Sequence, residues 1–149
     1  MASTLSNATL NVTLTESIVL NGSEHGSKKK MSISGVNEIS KRIMTCTTSG
    51  TQIYAGGSSV SYGTFATSDV KYVRITNLDT ENYVVLHFEG NSHYAQIRLD
   101  AGHVFMITRT SSVFDNNATV ASFSAEDITR IDVMANTASV DIEMLVASA

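Results

Sequence analysis

Few of the side chains that ordinarily carry chemistry stand at spacings that chemistry needs. Four histidines, His25, His87, His93 and His103, are the first candidates for metal ligation, but no H-x-H or H-x-x-x-H pair occurs among them, and the single cysteine, Cys46, has no partner thiol for a zinc site or a disulfide. His87 and His93 have opposite parity across their hairpin and are expected on different faces. No serine lies in the Gly-x-Ser-x-Gly elbow of a hydrolase. Gly56-Gly57-Ser58-Ser59 lacks the lysine and following helix of a phosphate loop. Cys46, set among threonines, reads as a small core hydrophobe. Four Asn-x-Ser/Thr sequons begin at Asn7, Asn11, Asn21 and Asn117, as expected by chance in a chain so rich in these residues. The expectation is no catalytic, cofactor-binding or metal-binding residue, and a chain that is not an enzyme.

Three groups suggest contact rather than catalysis. Lys28-Lys29-Lys30 is a basic run in a chain of net charge -4; it either docks on an acidic neighbour or protects a strand edge, which lysines do by discouraging edge-to-edge pairing. Tyr54, Tyr62, Phe65 and Tyr72 flank a glycine-rich loop, either as a sugar-stacking surface or as core and interface aromatics. In a closing hairpin with a 136–139 loop, Ile131 falls opposite Met144 and Val133 opposite Ile142. That register sets Asp132 against Glu143 with Asp141 diagonal, and like charges directly opposed are destabilising. Such a face would meet a cation or a basic partner, unless the register differs or Arg130 screens it.

The elements that must position these residues are strands. Leu10, Val12, Leu14, Ile18 and Leu20 share one parity, interrupted at Glu16, where a bend or bulge is expected. Residues 21–27 read as a loop, and Met31 and Ile33 mark a short second strand. The stretch 35–47 fits a strand better than a helix because Thr45-Cys46-Thr47-Thr48 has poor helix propensity. Strands follow at 52–55, 70–76, 83–89, 93–99 and 103–108, with Val113-Phe114 folded back onto the body. A short strand at 120–123 and the pair 128–135 and 140–146 complete the set. With Asn91-Ser92 as the tip of a two-residue hairpin, Val84 faces Leu99, Leu86 faces Ile97 and Phe88 faces Ala95. Eight or nine strands with frequent turn signals give an all-β fold: an antiparallel β-sandwich, jelly-roll-like, over residues 8–149, preceded by a polar arm at 1–7.

Composition limits the role. Hydrophobic residues make up 42% of the 149, enough for a core, while charged residues are 16%, well below the usual share of about 25%. Serine and threonine together approach roughly a quarter of the chain, which suits either a Thr-rich β-protein or a surface packed against neighbours. The acidic balance argues against coating DNA. Apolar runs are too short to span a membrane as a helix, and the opening residues lack the charged and apolar regions of a secretory signal.

Tyr72-Val73-Arg74-Ile75-Thr76-Asn77-Leu78-Asp79 followed by Tyr83-Val84-Val85-Leu86 resembles a segment of small β-sandwich virion proteins of tailed bacteriophages. So do Leu99-Asp100-Ala101-Gly102-His103-Val104-Phe105-Met106, the 131–146 segment and the opening strand from Leu5 to Thr13. The resemblance implies a structural part of the particle, made in the host cytoplasm and placed on the virion's outer surface. It implies a capsid decoration protein that binds the major capsid protein or another virion protein as a homo-oligomer, with a trimer favoured, and that has no nucleic-acid or membrane partner. The alternative is a tail or head-tail jelly-roll module that binds host-surface carbohydrate. A cupin-type metalloenzyme would require bound metal, against which the histidine spacing argues.

Overall fold

The computed structural model describes residues 6–117 and 122–149. Its strands are β1 (Ala8–Glu16), β2 (Val19–Leu20), β3 (Ser23–Glu24), β4 (Ser27–Val36), β5 (Glu38–Cys46), β6 (Thr51–Gly57) and β7 (Phe65–Ala66). They continue as β8 (Val70–Asn77), β9 (Val84–Glu89), β10 (Tyr94–Leu99), β11 (Val104–Ile107), β12 (Arg130–Ala135) and β13 (Val140–Ser148). No helix occurs among the described residues. The fold is all-β, as expected.

Two sheets form the body, one in the order β10-β9-β12-β6-β7 and the other β11-β8-β13-β5. All pairings in them are antiparallel except the short β6–β7 contact. Their inner faces share one core in a β-sandwich. The first sheet contributes Val84, Leu86, Phe88, Ile131 and Val133, and the second Val73, Ile75, Ile142, Met144 and Val146. Alternation places these residues, because successive side chains in a strand point to opposite faces.

The hairpin register reads as expected: Val84 pairs with Leu99, Leu86 with Ile97 and Phe88 with Ala95. Ala95 and Ile97 nonetheless remain exposed. They lie on an edge strand, and the four-residue β11 at the other sheet's edge leaves them uncovered, although its Phe105 reaches Phe88 at 5.2 Å.

The closing hairpin is a correction. β12 and β13 do not pair: β12 lies between β9 and β6, and β13 between β8 and β5, in the other sheet. The chain crosses from one sheet to the other through residues 136–139, with the Ala135 amide bonded to Thr47 O and the Asn136 amide to Tyr83 O. Alternation fixes which side chains point inward. It does not fix which sheet a strand joins, and both placements bury Ile131 and Met144.

The 108–129 connection is fastened by buried polar groups. The Tyr54 hydroxyl donates to Thr110 Oγ1 at 3.2 Å, Thr110 donates to Thr67 O at 3.1 Å, and Thr67 Oγ1 donates to Asp127 at 2.8 Å. A Cβ on Gly56 would lie 2.7–2.9 Å from Thr67, Ile128 O and Tyr54, so this close approach requires glycine. Val113 and Phe114 pack against the core, as expected. Of the strand expected at 120–123, residues 120 and 121 lie outside the described residues, and Ser122 and Phe123 are not in a strand. Most of the arm expected at 1–7 also lies outside them.

Candidate functional site

The feature most unlike a plain sandwich is made by the first 29 residues of regular structure. β1 pairs with β4 along its whole length, with Leu10 opposite Ile33, Val12 opposite Met31 and Leu14 opposite Lys29. β2 and β3 extend this ribbon to a tight turn. At its tip Asn21 and Gly22 have φ of 50° and 80°, the left-handed pair that a two-residue hairpin turn requires and that Asn-Gly supplies. The segment expected as a loop is therefore a hairpin tip. The expected short second strand is ten residues long and includes the three lysines. The Asn21-Gly22 dipeptide is the signal that could have revealed it.

Only the base of the ribbon is anchored. Leu10, Val12, Ile33 and Val36 pack with Tyr72, Leu145 and Ala147 on the outward face of the β11-β8-β13-β5 sheet, a second small apolar cluster. Gly35, with φ of 71°, turns the chain there, and the Asn37 amide bonds Ser148 O at 3.0 Å before β5 begins. Beyond that base every residue from Thr13 to Lys30 is exposed. Four of them are large and apolar: Leu14 at 49%, Ile18 at 55%, Val19 at 66% and Leu20 at 57% exposure. The tip is locally ordered. The Ser27 hydroxyl donates to Glu16, and the amides of Ile18 and Gly26 donate to Glu24 at 3.3 and 2.9 Å.

The predicted acidic face is not formed. Asp132 lies on the first sheet and pairs with Arg130 at 2.7 Å. Glu143 lies on the second sheet between Lys41, at 3.0 Å, and Arg74. Asp141 accepts the Thr45 hydroxyl at 2.6 Å. With the strands in different sheets, the like-charge opposition that suggested a cation disappears.

The aromatic group is also dispersed. Tyr54 is buried and stacks on Phe65 at 5.5 Å, Tyr72 is buried beneath the ribbon base, and Tyr62 is fully exposed. Cys46 lies in the core, where burial, with Asp141 adding to it, pushes its thiol up to about 11.

The histidines separate as their parity predicted. His87 lies on the outward face of the first sheet, beside a depression of about 290 Å³ that Gln52, Gln96, Arg130 and Asp132 also line. His93 lies at the β9–β10 tip, its Nδ1 3.7 Å from both Asp115 and Glu126. Glu126 accepts the Ser92 and His93 amides at 2.9 and 3.0 Å and the Ser92 hydroxyl, which holds its carboxyl down at about 2. Asp115 is likewise lowered, first by the Ser124 amide. Glu126 is occupied in fastening the loop to the hairpin tip, and Asp115 in holding its own loop through Asn117 and Ser124. Among the described residues no group of three or more His, Cys, Asp or Glu is placed to hold a metal ion.

No protein-family model, curated protein or solved structure matches the chain.

Proposed function

We propose that this chain is a non-enzymatic structural protein of a tailed-phage particle, a capsid decoration protein that binds and stabilises the assembled major-capsid lattice from outside. The observation that carries the reading is the ribbon, which extends from a body with few charges and leaves Ile18, Val19 and Leu20 exposed near its tip. A two-stranded ribbon standing in water is marginally stable, so one projecting this far is suited to being covered by a partner. Its unpaired edges are also templates for adding a strand to a neighbour's sheet. Binding only the assembled lattice would stabilise it by mass action.

We read the connectivity as a jelly roll. The orders β5-β13-β8-β11 and β6-β12-β9-β10 support this reading, because, with the two-residue β7 set aside at the edge of the first sheet, they distribute eight strands four to a sheet as two interleaved Greek keys. The resemblance adds a homo-oligomer, favouring a trimer, and a particle made in the host cytoplasm without nucleic-acid or membrane partners.

The test is copy number per purified particle, by quantitative mass spectrometry against the major capsid protein. A ratio near one, or a simple fraction of one, is expected; a few copies per particle would refute decoration. The depression beside His87 favours the second reading, a tail or head-tail module that binds carbohydrate, because its amide, imidazole and guanidinium groups suit sugar hydroxyls. Specific hits on a glycan array, combined with low copy number, would select it.

A further inference from the structure

We infer that the ribbon's occupant is a second copy of this chain, docked at the end of its sandwich remote from its own ribbon. The argument begins with charge. The ribbon carries Lys28, Lys29 and Lys30 against Glu16 and Glu24, a net +1, so the remainder of a chain of net charge -4 carries -5. The acids outside the ribbon include a group gathered at one end. β5 leaves the ribbon at Glu38 and reaches the far end at Cys46, and β13 runs back from Val140 to Ser148 beside the ribbon base. The far end therefore comprises the 77–83 turn, the 100–102 turn and the start of β13, joined by bonds from the Asn77 amide to His103 O and from the Leu78 amide to Asp141 O. It holds Asp79, Glu81, Asp100 and Asp141, of which only Asp100 has an ion-pair partner among the described residues, Arg98.

Apolar groups accompany the charges at both places. Leu78 and Val104 are exposed at the acidic end, as Ile18, Val19 and Leu20 are at the ribbon tip. The ribbon does not fold back on its own body, since everything beyond Val12 and Met31 is exposed. Nine residues of β13 separate the two ends, about 30 Å of strand at 3.4 Å per residue. Basic ribbon and acidic end are thus complementary surfaces on opposite ends of one chain. Such a pair joins copies head to tail, in a heterologous contact that closes into a ring or continues as a chain.

This names the ribbon's partner within the reading above, and its test is separate from that of the virion role. The purified chain is examined by sedimentation velocity over a range of concentration at low and high salt. The expected result is a species of several times 16.0 kDa that dissociates as salt rises, because exposed charge pairs are screened. A variant with Lys28→Glu, Lys29→Glu and Lys30→Glu, and another with Glu81→Lys and Asp141→Lys, should each sediment as monomers with unchanged circular dichroism. All five changes together should restore assembly. A wild-type chain that stays monomeric throughout, or a lysine-reversed variant that assembles like wild type, overturns the inference. A monomer that still saturates capsids overturns this proposal alone; an oligomer that never joins particles overturns the virion reading alone.

Discussion

Replacing Asn77 tests how the turn at the far end is built. Asn77 is fully buried; its Nδ2 donates to Asn82 O at 2.9 Å and Leu99 O at 3.2 Å, and its Oδ1 accepts the Asp79 amide at 3.0 Å. One side chain therefore joins the β8–β9 turn to the end of β10. Asn77→Ala removes three bonds, each worth about 1 kcal/mol net, for a loss of about 3 kcal/mol. In a chain of this length, that lowers the melting temperature by about 6–12 °C. Asn77→Asp should cost more at neutral pH, because a carboxylate would face two carbonyl oxygens with no proton to donate. Burial and those carbonyls raise the folded-state pKa of the new carboxyl above its unfolded value. The extra penalty is therefore absent at low pH, where the group is protonated in both states, and grows as pH rises through the unfolded pKa toward the folded one. Urea denaturation followed by circular dichroism across pH measures both effects. A loss below about 1 kcal/mol for Asn77→Ala, or a pH-independent Asn77→Asp, would refute the reasoning.

Further outcomes follow from the loop, the core and the sheet assignment. Glu126 has its carboxyl held down at about 2 from an ordinary 4.5, so its stabilising effect is complete above pH 4.5 and is lost as pH falls toward 2. The protection factors of the Ser92 and His93 amides, corrected for the intrinsic pH dependence of exchange, should fall over that window, and Glu126→Gln should abolish the dependence. The Cys46 thiol, raised to about 11 by burial, should resist a thiol reagent at pH 8 in the folded chain and react promptly once unfolded; rapid reaction in the native state would contradict its core position. Asp132→Asn and Glu143→Gln should be additive to within about 0.5 kcal/mol, because the residues lie in different sheets. A larger coupling in a double-mutant cycle would put β12 and β13 back side by side.

The strands that form the core of the sandwich, and the facing of their side chains, were largely legible in the sequence because both follow from local alternation. Val84, Leu86 and Phe88 point inward with their partners in the expected register, and Cys46 is in the core. The errors of placement within the sandwich have a common physical origin. Ile131 and Met144 alternate correctly whether β12 pairs with β13 or faces it across the core, so nothing local distinguishes the two, and the acidic face inferred from pairing disappeared with it. Tyr54 and Tyr72 are close to a shared loop in sequence, yet they are buried in different clusters.

By itself the sequence determined an all-β chain, the inward residues of β9, β12 and β13, the turns at 77–82 and 91–92, and the absence of any motif spacing associated with catalysis. Composition, alternation and turn chemistry are local properties, and they sufficed for these. Only the tertiary structure decided which sheet each strand joins, that residues 8–36 leave the sandwich as a ribbon, and that the lysines and the far-end carboxylates occupy opposite ends. Those outcomes depend on contacts between residues distant in sequence, where the free energy is that of burying whole faces against one another and no single segment encodes the choice.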